Sequence, residues 1–196
     1  MIDCTAVLMA GGKSTRMGRD KSFLDYYGTP LWSFQLEKLA SFASEILISS
    51  QTAFPDHPRI EYSLVADEVS GLGPLGGLCS ALIKARHDTL VVFAVDMPKM
   101  TRRFLAAIAA EATPECGIVP ESEGFYQGLA AVYPKKILPL LAEVLRGTDH
   151  SLQHLNKLAV ESDIMRVHQV VQNEEGFFQN WNSPADVEFK DDGCKE

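Results

Sequence analysis

The sequence predicts an α/β protein built on a largely parallel sheet with helices on both faces. Three observations predict it. Short runs of apolar and branched residues alternate with longer segments of helical spacing as far as Gly124. "TLVVFAVD", Thr89 to Asp96, reads as a buried strand and is the clearest in the chain. Glycine-rich turns follow the first and third apolar runs, at the strand ends where doubly wound sheets take ligands.

Taken in order, Thr5 to Met9 is a buried strand, and "PLWSFQLEKLASF", Pro30 to Phe42, is a helix with proline where it begins. "EILISS", Glu45 to Ser50, and "IEYSLVAD", Ile60 to Asp67, are strands rich in branched residues. A helix over Leu75 to Lys84 leads into Thr89 to Asp96. Arg103 to Glu111 is helical and Cys116 to Val119 extended. Beyond Gly124 the rhythm loosens. Gln127 to Pro134 reads as a strand, and Lys135 to Leu145 as a helix with Pro139 in its first turn. Ser151 to Leu158 is a short helix and Asp163 to Val171 a strand. "SPADVEF" suggests a last helix with Ser183 as N-cap and Pro184 at its first position. Residues 1–189 are thus expected to form one domain, and 190–196 a polar, frayed tail.

Composition narrows the class. Apolar residues make up 46% and charged residues 22%, ordinary values for a soluble globular chain. A net charge of −8 argues against a general nucleic-acid binder, whose footprint is usually basic. No apolar run approaches the roughly 18 residues of a membrane span. "MIDCTAV" has no basic region before an apolar one, so no secretory signal is expected. The cysteines Cys4, Cys79, Cys116 and Cys194 form no CxxC pair, and three of them read as small core residues. A reducing, cytoplasmic location is the expectation.

Against that acidic background, "LMAGGKSTRMGRDKSFL", Leu8 to Leu24, gathers Lys13, Arg16, Arg19 and Lys21 among three glycines. It is not a P-loop, because Val7 stands where that motif needs its first glycine. The dinucleotide fingerprint fails as well: Gly11 and Gly12 are adjacent and Gly18 follows six residues later, which argues against a dinucleotide-dependent oxidoreductase. The physics of a phosphate cradle remains. Glycine lets backbone N–H groups approach an anion, and Lys and Arg bring charge and donors to its oxygens.

The loop, Ala10-Gly11-Gly12-Lys13-Ser14-Thr15-Arg16-Met17-Gly18-Arg19-Asp20-Lys21, resembles the AGGxSxRMGxDK signature of nucleotidyltransferases of the molybdenum cofactor guanylyltransferase type. "YGTPLW", Tyr27 to Trp32, resembles that family too. Related cytidylyltransferases tend to carry alanine at the place of Gly11, so the Gly11-Gly12 pair and "TPLW" lean towards guanine. Gly73-Pro74-Leu75-Gly76 resembles the family's GPLxG turn, and Asp67 the acid it places near the nucleoside. "DMP", Asp96 to Pro98, matches its D-x-P element, and "NWNSPAD", from Asn180, its NxNxPxD element, with Trp181 where an aliphatic residue is usual. Two further departures are Gly128, where many relatives carry proline, and Ser49, where close relatives often carry asparagine.

The resemblance implies an α/β/α sandwich, a Rossmann-like nucleotidyltransferase fold with a mostly parallel mixed sheet. It implies transfer of GMP from GTP to the molybdenum-bearing pterin cofactor, with release of pyrophosphate. Met9, Ala10, Gly11, Gly12, Lys21, Ser49, Asp67, Gly73 and Asp96 would bind GTP. Arg16, Lys21 and Asp96 would carry the chemistry, Asp96 holding Mg²⁺, a hard cation that prefers oxygen ligands. Gln127, Asn180 and Asn182 would face the acceptor, and molybdoenzymes or their chaperones would receive the product. Asp96 also has a simpler reading, as an N-cap for the helix that follows. The rivals are a CTP-dependent or sugar-phosphate transferase of the same fold and a non-catalytic nucleotide-binding protein.

Overall fold

In the computed structural model the described residues are 1–11, 21–66 and 72–181. Strand β1, Ile2–Met9, is followed by a hairpin, β2 (Asp25–Tyr26) and β3 (Thr29–Pro30). Then come helix α1 (Leu31–Ala40), β4 (Ala43–Ser49), β5 (Ser63–Val65), α2 (Pro74–Lys84), β6 (Thr89–Ala94) and α3 (Arg102–Glu111). The last third holds β7 (Gly117–Ser122), β8 (Phe125–Tyr126), β9 (Ala130–Pro134), α4 (Leu138–Arg146), α5 (Leu152–Glu161) and β10 (Met165–Gln169).

The main sheet runs β10-β7-β9-β6-β1-β4-β5, with β8 added beside β7. β1 lies at its centre, parallel to both β4 and β6. Along this path only β9 runs against its neighbours, which makes the sheet mixed but mostly parallel.

Two apolar layers sandwich the sheet, because successive strand side chains point to opposite faces. Ala6 and Leu8 of β1 and Val91 and Phe93 of β6 pack with Leu36 and Leu39 of α1 and Leu105 and Ile108 of α3. Val7, Leu90 and Val92 face the other way, against Leu78 and Leu82 of α2, Leu141 of α4 and Leu155 of α5. Full burial of each such side chain stabilises the fold by roughly 1.5–3 kcal/mol. The three-layer α/β/α sandwich expected from the sequence is therefore present.

The differences from expectation are local. Only Ser63–Val65 of the expected Ile60–Asp67 strand pairs, because β5 is an edge strand that meets just the last three residues of β4. Pro139 divides the expected Lys135–Leu145 helix. Lys135–Ile137 form a single 3-10 turn, and α4 begins at Leu138 with the proline in its first turn, where its missing N–H costs nothing. Residues 127–129 turn before β9 begins, with Ala130 N–H donating to Gln127 O at 2.9 Å. Of the cysteines expected in the core, Cys4 is fully buried, whereas Cys79 and Cys116 are half-exposed. Cys116 sits in a tight turn with Thr113 rather than within a strand. The expected helix at Ser183 and the tail 190–196 lie outside the described residues.

Candidate active site

The parallel strands all point their carboxyl ends at one edge of the sheet, and β1 and β6 leave it side by side. Pairing continues past the strand ends: Val95 N–H donates to Met9 O at 3.1 Å and Ala10 N–H to Ser49 O at 3.0 Å. The exposed Gly11 and the Asp96 carboxylate therefore emerge next to each other. The chain re-enters at Lys21, the start of a 3-10 turn ending at Phe23. The buried Ser22 Oγ donates to Ala10 O at 3.4 Å, which ties the returning end of the glycine-rich loop to its beginning.

This return sets Lys21 Nζ 3.6 Å from Asp96 Oδ2, with the two side chains 20% and 23% exposed. Burial pushes the Asp96 carboxyl above its ordinary range. The Lys21 ammonium and a backbone N–H pull the other way, and burial prevails. Asp96 is not a helix cap. Thr101 caps α3, its side chain accepting from Phe104 N–H at 3.1 Å. A carboxylate kept partly desolvated, paired with a lysine and free of a capping duty, is suited to a cation brought by a ligand.

The donor set fits Mg²⁺ in that form. Among the described residues no cluster of three or more His, Cys, Asp or Glu could enclose a metal. Mg²⁺ is commonly held by one or two carboxylates together with substrate phosphates and water, and Asp96 at this edge is a carboxylate of that kind.

Gly73 opens α2 at the same edge with φ +55° and ψ −141°, backbone that a side chain rarely adopts. No side chain caps α2, whose first turn points its N–H groups towards the edge as a helix N-terminus does. Met9 and Ala10 are buried, so their contribution at the edge is backbone. Ser49, 2% exposed, presents its carbonyl to Ala10 rather than a side chain to solvent. Gln127 is also at this edge, but its Nε2 donates back to Phe125 O at 3.4 Å. Asn180 is exposed, and the next residue, Trp181, donates its N–H to Asp96 O at 2.8 Å. The structure thus brings Gly11, Lys21, Gly73, Asp96, Gln127 and Asn180 to one edge. Gly12, Arg16, Asp67 and Asn182 lie outside the described residues.

Three contributors went unnoticed in the sequence. Ser22 is one. Gln35 and Lys38 of α1 are the others, donating to backbone carbonyls of the turn that carries Asp96. Their signal was legible: two long polar side chains three residues apart in "FQLEKLA", flanking the buried Leu36 and Leu39, with Glu37 as the solvent-facing member.

An α/β/α sandwich with this strand order, its polar and glycine residues gathered at the carboxyl edge, is of the Rossmann-like class. Residues 6–162 match the MobA-like NTP transferase domain, and the chain belongs to that family of nucleotidyltransferases. The molybdenum cofactor guanylyltransferase of Pseudomonas putida is 32% identical over 154 residues, covering 76% of this chain and 80% of that protein. The one from Pseudomonas entomophila is 27% identical over 92% of this chain and 94% of its own length. The crystal structure of molybdopterin-guanine dinucleotide biosynthesis protein A from Archaeoglobus fulgidus superposes with a TM-score of 0.69. It covers 93% of this chain and 94% of that one at 21% identity, a likeness of fold. Among the described residues no helix is long and apolar enough to cross a membrane.

Proposed function

We propose that this protein transfers GMP from GTP to the terminal phosphate of the molybdenum-bearing pterin cofactor. The products are the guanine dinucleotide form of the cofactor and pyrophosphate. The observation that carries this reading is the Lys21–Asp96 pair at the carboxyl edge, between the glycine-rich loop and the end of β6. Family membership and the guanylyltransferase names of the relatives support the choice of substrates.

The chemistry follows from charge. A phosphate oxygen of the acceptor attacks the α-phosphorus of GTP, a new P–O bond forms, and the bond to the β-phosphate oxygen breaks. Both reactants are anions, and their repulsion is the main obstacle. Lys21 and the N–H groups of the Gly11 loop and the α2 N-terminus offset it and stabilise the charge that gathers on the departing pyrophosphate. Bound Mg²⁺ would supply further neutralisation of the phosphate oxygens. Asp96 would hold that ion and, through its pairing with Lys21, keeps the lysine aimed at the edge. The acceptor phosphate is already ionised near neutral pH, so no side chain need act as general base.

Mass-spectrometric analysis of the products from metal-loaded pterin cofactor and GTP tests the assignment. Formation of the guanine dinucleotide is expected. A cytosine dinucleotide formed faster from CTP would overturn the base, and no dinucleotide from any nucleotide would overturn the reaction.

A further inference from the structure

The turn that carries Asp96 is held from outside at four carbonyls. Val95 O accepts from Gln35 Nε2 at 3.0 Å, and Asp96 O from the Trp181 N–H at 2.8 Å. Pro98 O and Met100 O both accept from Lys38 Nζ, at 2.7 and 2.8 Å. Within the turn itself, Met100 N–H donates to Met97 O at 3.2 Å. Gln35 and Lys38 stand one helical turn apart, so one face of α1 grips both sides of the acid.

Packing alone asks for neither side chain. Gln35 is fully buried, yet its carbonyl oxygen accepts no hydrogen bond among the described residues. An unsatisfied buried acceptor opposes folding by its full desolvation penalty, which a leucine would avoid. Lys38 carries its nitrogen into a half-buried place over the Phe34 ring, 4.3 Å from its centre; the ring face favours a cation, yet desolvation outweighs it and opposes the charge. Two polar groups that each burden the fold, both spent on the same turn, point to a requirement of the turn.

We propose that Gln35 and Lys38 are positioning residues for nucleotidyl transfer. They fix the 95–100 turn so that the Asp96 carboxylate already stands where a metal-bound nucleotide arrives. The inference rests on the reading of Asp96 as the metal-holding acid. Partners that orient a metal ligand are worth roughly 10–100-fold in metal affinity or activity.

The test compares wild type with Gln35→Leu, Lys38→Met and the conservative Lys38→Arg. Gln35→Leu removes the orphan acceptor and Lys38→Met keeps the apolar stem, so both are expected to fold. Two measurements are made: amide hydrogen exchange without ligand, and the affinity of the protein–GTP complex for Mn²⁺ as a spectroscopic probe. Faster exchange is expected at Val95, Asp96 and Met100, with Val91 and Val92 in the sheet unchanged. Mn²⁺ affinity is expected to fall roughly tenfold, with Lys38→Arg recovering most of it. GTP affinity without metal should stay the same. Unchanged exchange at the turn, unchanged Mn²⁺ affinity, or exchange raised uniformly across the sheet would each overturn the proposal. Wild type that binds no Mn²⁺ with GTP would overturn the reading of Asp96 itself. The exchange data, which need no ligand, would still show whether α1 holds the turn.

Discussion

At the scale of single residues, the buried Asp96 carboxylate burdens the fold. Burial raises its pKa above the ordinary 3.8, so the folded protein holds that proton more tightly than the unfolded chain. The resulting stabilisation is present below the ordinary aspartate range and is lost as pH rises through the raised value. At neutral pH the bare carboxylate is a burden that asparagine escapes. Asp96→Asn is therefore expected to melt no lower than wild type without Mg²⁺, while losing transfer across a range of Mg²⁺ concentrations. A helix-capping acid would behave otherwise, since asparagine caps about as well and activity would survive. Lys21→Ala is expected to lower turnover by on the order of 10²-fold or more, because in the proposed reaction its ammonium would face the developing charge. Steady-state rates of the variant against wild type check it, and a small effect would remove Lys21 from the phosphate site. Gly128, a departure from the family pattern, has a structural reason. A Cβ there would lie 2.5 Å from Asn156 Nδ2 and 2.8 Å from Tyr133 Oη, both buried. Gly128→Ala is expected to cost about 1–3 kcal/mol by overpacking, read from denaturant unfolding.

At the scale of elements, α1 joins the core to the site. Its apolar residues pack on β1 and β6, while Lys38 reaches the Asp96 turn. Burial brings the Lys38 ammonium down from 10.5 to about 7. The sign is opposite in sense to an ion-paired lysine: between these values the unfolded chain holds a proton that the folded protein has released, so stability rises with pH across that window. Thermal melts from pH 7 upwards are expected to show this rise, and Lys38→Met to flatten it. The same helix shows what sequence periodicity leaves hidden. Apolar spacing located α1, but spacing does not say which carbonyl a buried Gln35 or Lys38 meets, because its partners lie some 60 positions away. The hairpin of Asp25–Tyr26 and Thr29–Pro30 escaped for a different reason: its two-residue strands are too short to alternate, and its turn is set by Tyr27 and Gly28 at positive φ. Pro139, in contrast, was read in a first turn from its chemistry alone and is found in one.

For the whole molecule, the alternation of apolar runs and helical segments was enough to place helices on both faces of a parallel sheet. It could not show that β9 enters antiparallel between β6 and β7, since strand order depends on contacts distant in sequence. The edge that gathers Gly11, Lys21, Gly73 and Asp96 was legible through motif chemistry, as strand ends followed by glycine-rich turns and an acid. Ser49 shows the limit: its type and position suggested a ligand contact, and its 2% exposure reveals a side chain enclosed by the fold. The most direct measurement is pyrophosphate release from metal-loaded pterin cofactor with each nucleoside triphosphate in turn, wild type beside Asp96→Asn. Release by wild type with GTP in preference to CTP and ATP, and none above background by the folded variant, is the expected result. Equal release by the variant, or none by wild type with any nucleotide, would contradict a transfer site built on Asp96.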